Sequence, residues 1–140
     1  LMDEPTVGLD PQVRQELWAL IARLRSEGTS ILMSTHYIDE AERLADSVTI
    51  MNHGKAVSVG PPGALIAEHA GREVLEIYGP PGRLREVEAD ALARGHATRR
   101  TGTSVAILRA ESVDDAFGEG HRRAANLEDV FVHLTGEEIA

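Results

Sequence analysis

Two acidic residues, Asp3 and Glu4, directly follow an apolar pair at the start of the chain, and a proline comes next. An aspartate at the end of a buried strand supplies a hard oxygen ligand for Mg²⁺, and a neighbouring glutamate can orient or deprotonate a water. Phosphoryl transfer needs these two groups within a few ångströms of each other. Asp10 and Pro11 then supply an N-cap and a first helical residue. The stretch therefore predicts a strand, a short loop and a helix, with a candidate phosphoryl-transfer site at the strand end.

A second segment supports this interpretation. Apolar residues recur at helical spacing from Pro11 to near Gly28, and residues 31–33 predict a buried strand that ends in Ser-Thr-His. A short helix is predicted over about 38–45. Ligands of open α/β sheets bind at the carboxyl edge of the strands, so we expect His36 to lie near Glu4. Taken alone, the acidic pair could open an exposed turn and His36 could be an ordinary loop residue.

Together, Asp3-Glu4-Pro5, Gly8-Leu9-Asp10 and Ser34-Thr35-His36 resemble three motifs of the ATP-binding cassette (ABC) ATPases. These are the Walker B motif, the D-loop and the H-loop. The resemblance assigns Asp3 to Mg²⁺ through a water, Glu4 to the attacking water as general base, and His36 to the γ-phosphate. It places Asp10 beside the phosphate site of a second subunit. The family's commoner D-loop form is Ser-Ala-Leu-Asp, and this chain departs from it at two positions.

The resemblance implies the ATP-binding subunit of an ABC transporter, with ATP and Mg²⁺ as cofactors. The implied partners are a second ATP-binding subunit and a transmembrane permease, with the protein peripheral on the cytoplasmic face of the cell membrane. Export of a hydrophobic small molecule or drug is the expected transport function. Two alternatives stay open: an interaction or regulatory module that pairs subunits, and a soluble ABC ATPase outside transport.

Composition narrows the class of protein. The net charge of −9 argues against nucleic acid as a partner. No apolar run approaches the roughly 20 residues of a membrane-spanning helix. Cysteine is absent, which removes disulfides and thiolate metal sites and fits a cytosolic protein.

Two motifs that the family carries upstream of Walker B are absent from the sequence. There is no Gly-x-x-x-x-Gly-Lys-[Ser/Thr] phosphate loop and no Leu-Ser-Gly-Gly-Gln-like signature. We therefore expect an incomplete catalytic domain that is inactive alone, an ATPase only in the full-length protein. The expected fold is α/β: residues 1–70 form the C-terminal part of a P-loop NTPase sheet, and residues 71–140 form a small α+β appendage.

The appendage reads as strand, helix, hairpin and helix, an order compatible with a ferredoxin-like unit but with too few strands to establish one. Residues 73–78 alternate as a strand does, a helix is predicted to end at Gly95, and a hairpin turns at Thr101-Gly102. Ser112 is a plausible N-cap for a helix to about Arg123. A last amphipathic helix ends at Gly136, and we expect its apolar face to pack within its own unit.

Overall fold

The computed structural model of the chain describes residues 1–113 and 117–136. The chain forms two compact units, Leu1–Asp46 and Ser47–Ala140. The boundary predicted near residue 70 falls inside the second unit and stays a prediction. No helix in the described part of the chain is both long and apolar enough to cross a membrane.

The first unit alternates strands and helices, as predicted. It contains β1 (Met2–Asp3), α1 (Pro11–Ser26), β2 (Met33–Ser34) and α2 (Ile38–Leu44). The two strands are parallel, with Met2 opposite Met33 and Asp3 opposite Ser34. Parallel strands need a crossover connection, and α1 supplies it.

Helix α1 begins where the sequence predicts. The Asp10 carboxylate accepts a hydrogen bond from the Val13 backbone N–H at 2.9 Å, and Pro11 follows the cap. Arg23 and Arg25 lie in the last turn, where cations interact favourably with the helix dipole. Trp18 and Ile21 are the buried residues of the helix.

The predicted buried strand at residues 31–33 is wrong in extent and in burial. The strand is the pair Met33–Ser34, and Leu32 is 71% exposed. Side chains of a parallel strand are buried only where other layers cover the sheet faces, and the Leu32 side chain has no such cover among the described residues.

The second unit opens with an antiparallel hairpin and a helix: β3 (Val48–Asn52), β4 (Lys55–Gly60) and α3 (Pro62–His69). The hairpin loop is the dipeptide His53-Gly54. Both loop residues have positive φ, 50° and 75°, which is the backbone that a type I′ turn requires.

The rest of this unit consists of a four-stranded antiparallel sheet and the helices that connect or follow its strands. Its elements are β5 (Glu73–Tyr78), α4 (Pro81–Ala93), β6 (Thr98–Arg100), β7 (Ser104–Ile107), a 3₁₀ turn (Ala110–Ser112), β8 (His121–Ala124) and α5 (Leu127–Thr135). The strand order is β6-β7-β5-β8, with antiparallel neighbours throughout. Strands β5 and β6 are thus parallel and separated by β7, which is the split βαβ arrangement of ferredoxin-like units.

Two helices pack against this sheet, α4 and α5. Helix α4 packs against β6 and β7 and contributes Leu84, Val87 and Ala91 to a cluster of buried apolar side chains. Helix α5 packs against α3 and β6, and its buried apolar residues are Leu127, Val130 and Val132. The last helix therefore packs within Ser47–Ala140, but partly against α3, which precedes the unit predicted at residues 71–140.

The helix predicted from Ser112 to about Arg123 is wrong for the described residues. Ser112 ends the 3₁₀ turn, and residues 121–124 form β8 at the sheet edge; residues 114–116 lie outside the described range. Gly118 has φ of 86°, and a Cβ at Gly120 would lie 2.7 Å from the Glu76 carbonyl oxygen. These two glycines oppose a helix, and arginines of β8 pair with glutamates of β5 instead.

Candidate functional site

The carboxyl ends of β1 and β2 bring the predicted site residues of the first unit together. Asp3 and Ser34 lie opposite each other in the parallel register, and the Ser34 hydroxyl donates to Asp3 Oδ1. The Glu4 backbone N–H donates to the Ser34 carbonyl at 2.9 Å, which extends the pairing by one residue. The carboxyl ends of β1 and β2 thus lie at one edge, and open α/β sheets bind ligands at that edge.

Glu4 and His36 are in direct contact, 32 residues apart in sequence. Glu4 Oε2 lies 2.5 Å from His36 Nδ1, and the side chains are 34% and 58% exposed. An ionised carboxylate only accepts, so the imidazole donates through Nδ1–H. In the neutral ring, Nε2 then carries the lone pair.

The backbone at Glu4 is in the left-handed region, with φ of 49°. A non-glycine residue there costs free energy and persists where its surroundings hold it. Here the surroundings include the Glu4–Ser34 backbone hydrogen bond, and the Val7 N–H donates to the Glu4 carbonyl at 3.3 Å. The left-handed turn redirects the chain directly after β1, where the Glu4 carboxylate reaches His36.

The contact that the structure gives for the Asp10 side chain is the N-cap of α1. The loop before Asp10 turns at Gly8, whose φ is 79°. The role that the resemblance assigns to Asp10, beside a second subunit's phosphate site, stays a prediction.

The residues at this edge do not form a metal cage. Within residues 1–113 and 117–136, no group of three or more His, Asp or Glu side chains could hold a metal ion. Mg²⁺ in phosphoryl-transfer sites takes one or two carboxylates and completes its shell with water and substrate phosphates. The exposed carboxylate of Asp3 fits such a site.

Sequence reasoning missed Glu40, which is fully buried in α2. Its Oε2 accepts from the Thr6 hydroxyl at 2.5 Å and from the Trp18 indole N–H at 2.7 Å. A signal was present in the sequence: Glu40 shares a helical face with Leu44, so a carboxylate interrupts an apolar face. The guanidinium carbons of Arg14 and Arg43 lie 4.8 and 5.3 Å from the Trp18 ring centroid.

The chain is similar in sequence to several curated proteins. The chain is 40% identical to the Nod factor export ATP-binding protein I of Paraburkholderia xenovorans and 40% identical to that of Burkholderia lata. The protein of the same name from Ralstonia nicotianae is 39% identical. Each match covers 99% of this chain and 47% of the relative.

The chain thus spans about half the length of the curated relatives it matches. No protein-family model matches the sequence. The mixed α/β structure with small sheets fits the C-terminal region of an ABC ATPase. Over nearly its whole length, the chain is thus similar to part of proteins named as export ATP-binding proteins.

Proposed function

We propose that this chain supplies part of the ATP hydrolysis site of an ABC exporter. The observation that carries the proposal is the contact of Glu4 with His36, adjacent to the Asp3–Ser34 pair. A carboxylate base, an imidazole and a second carboxylate at one sheet edge are the groups that phosphoryl transfer from ATP to water requires.

The proposed roles follow from the chemistry of each side chain. Asp3 would hold Mg²⁺, which when bound would supply positive charge beside the phosphates. Glu4 accepts the proton of the water as its oxygen attacks the γ-phosphorus and the bond to the ADP oxygen breaks. His36 contacts the γ-phosphate and, through Nδ1, orients the Glu4 carboxylate. Asp10 is assigned to the subunit interface.

We infer that the phosphate loop and signature motif, absent from this sequence, belong to another part of the full-length protein. The relatives, about twice as long, support this inference. So does the exposed apolar Leu32 beside β2, because parallel sheet strands are ordinarily covered on both faces. Two such subunits would enclose two ATP molecules and drive a transmembrane permease from the cytoplasmic side of the membrane.

Export of a hydrophobic small molecule or drug is the finer part of the proposal. The relatives are named for export of Nod factor, which supports export over import. The transported molecule contacts the permease, so these residues do not select it. Residues 71–140 are proposed as an α+β appendage that leaves nucleotide chemistry to residues 1–70, because their sheet has its own apolar cluster.

The isolated 140-residue chain is expected to show no ATP turnover. Positioning of the phosphates supplies most of the catalysis in this chemistry, and the sequence has no loop to cradle them. Phosphate release by the pure chain is compared with a protein-free blank and with the full-length protein. Turnover by the isolated chain would contradict the proposed division of the site. Turnover by neither protein would contradict the ATPase assignment itself.

His36→Ala in the full-length protein should lower kcat roughly 100-fold, the cost of removing one preorganised donor to developing charge. The matched control is His133→Ala, which removes an exposed histidine of α5. Steady-state phosphate release measures both variants. Wild-type kcat in His36→Ala would remove the proposed γ-phosphate role from this residue.

A further inference from the structure

Glu40 is a buried carboxylate whose partners are neutral. One oxygen, Oε2, accepts both hydrogen bonds, from Thr6 and from Trp18. The other, Oε1, is buried without a partner among the described residues. Burying a carboxylate without a cationic partner costs free energy relative to an apolar side chain. Packing alone therefore does not account for a glutamate at this position.

The three residues of this cluster come from three different elements of the first unit. Thr6 lies in the loop between β1 and α1, two residues after Glu4. Trp18 lies in the middle of α1. Glu40 lies in α2, four residues after His36. Glu40 therefore connects the loop that carries the proposed base to the helix that follows the proposed γ-phosphate ligand.

We propose that Glu40 is a positioning residue that sets the separation between the Glu4 carboxylate and the His36 imidazole; this inference rests on the proposed function. The segments that carry Glu4 and His36 have little regular pairing of their own, since β1 and β2 are two residues each. The Thr6–Glu40 hydrogen bond connects these two segments. Thr6, the loop residue that donates it, is itself buried.

The direction of the effect follows from geometry. Glu4 is held in a left-handed backbone, and its contact with His36 spans only 2.5 Å. Loss of the Thr6–Glu40 hydrogen bond frees the loop two residues away, and the base then samples positions away from the attacking water. Displacements of about 1 Å at a reacting group lower rates by up to about 100-fold. Binding of ATP depends on other contacts and should change little.

The test uses Thr6→Val in the full-length protein, which removes the hydroxyl donor and keeps the branched shape. We expect kcat to fall about tenfold, with the KM for ATP changed by less than twofold. Thr6→Ser retains a hydroxyl and should restore kcat to within about twofold of wild type. This split between the two variants is the signature of the hydrogen bond rather than of packing.

Ile21→Val is the matched control, because Ile21 is buried in α1 but makes no hydrogen bond to Glu40. It should lower the melting temperature and leave kcat at wild-type level below that temperature. An equal loss of kcat in Ile21→Val would show that general loosening slows turnover, and would overturn the positioning role. Wild-type kcat in Thr6→Val, or a Thr6→Ser variant as slow as Thr6→Val, would also overturn it.

Failure of this inference is distinguishable from failure of the proposed function. If the wild-type protein hydrolyses ATP and Glu4→Gln does not, the function stands whatever Thr6→Val shows. If the wild-type protein does not turn ATP over, the function fails, and the positioning role that rests on it fails with it.

Discussion

Glu4→Gln in the full-length protein should bind ATP and turn it over roughly 1000-fold more slowly than wild type, within the range that a positioned general base contributes. The amide has the shape of the carboxylate but cannot accept the proton of the attacking water. Because ATP then persists, the two proposed subunits should stay associated around it. Phosphate release measures turnover, and gel filtration with ATP measures the trapped dimer.

The matched control for that substitution is Glu16→Gln, which removes one carboxylate from an exposed position of α1. Its turnover should be unchanged. If Glu4→Gln hydrolyses ATP at the wild-type rate, another group activates the water and the Walker B interpretation of Asp3-Glu4 is wrong. Loss of ATP affinity in Glu4→Gln would instead place Glu4 in nucleotide binding.

The strands and helices that sequence reasoning predicted correctly are those with local signals. Helix α1 has its cap and proline at Asp10 and Pro11, and α5 has an asparagine cap and a glycine end. In α5, Asn126 accepts from the Asp129 N–H at 2.9 Å, and Gly136 ends the helix with φ of 73°. These signals act within one turn of the chain, so they can be read without the fold.

The errors arise where distant contacts decide the structure. Residues 112–123 begin with a plausible N-cap, Ser112, but β8 forms because β5 offers a pairing edge. The partners of β8 lie almost 50 residues away, as in the ion pair of Arg122 with Glu73 at 2.6 Å. The placement of Glu4 and His36 near each other was expected, because parallel strands place both residues at one edge, but their direct contact was not. The burial of Glu40 was not expected either, since it depends on how three elements pack.

Asp129 is a second buried carboxylate that the sequence does not reveal. Its carboxylate has no solvent exposure and accepts two hydrogen bonds from Arg123, at 2.7 and 2.8 Å, and one from Arg99 at 3.1 Å. It also accepts from the Asn126 backbone N–H at 3.0 Å, which completes a capping box at the start of α5. Arg99 is in β6 and Arg123 in β8, so Asp129 connects α5 to both edge strands of the sheet.

The charges in this cluster stabilise one another. Burial alone would raise the pKa of the Asp129 carboxyl, but hydrogen bonds from Arg123, the Asn126 backbone and Arg99 outweigh burial, so the pKa lies below its usual value. The Asp129 carboxylate in turn raises the pKa of Arg123, although burial opposes it. A carboxyl whose pKa is lower in the folded state adds stability above its unfolded pKa, and that stability is lost as the pH falls through the folded pKa.

Asp129→Asn should therefore lower the free energy of unfolding of the second unit by about 3 kcal/mol at neutral pH, because Arg123 and Arg99 lose their fully buried anionic partner. They keep only their ion pairs with the more exposed Glu76 and Glu128. Thermal melting and hydrogen exchange of the α5 amides measure the loss. The matched control is Asp90→Asn, which breaks an ion pair with Arg94 in which both side chains are about half exposed; it should cost less than about 1 kcal/mol.

The pH dependence separates the ionic contribution of Asp129 from its packing. In wild type, the cluster should hold at neutral pH and weaken as the pH falls below the usual carboxyl range, because Asp129 must then take up a proton. Asp129→Asn has no carboxyl to titrate there, so the difference in unfolding free energy between the two proteins should shrink toward low pH. A difference that stayed constant with pH would mean that α5 is held by shape and by its cap, and that the two arginines contribute little.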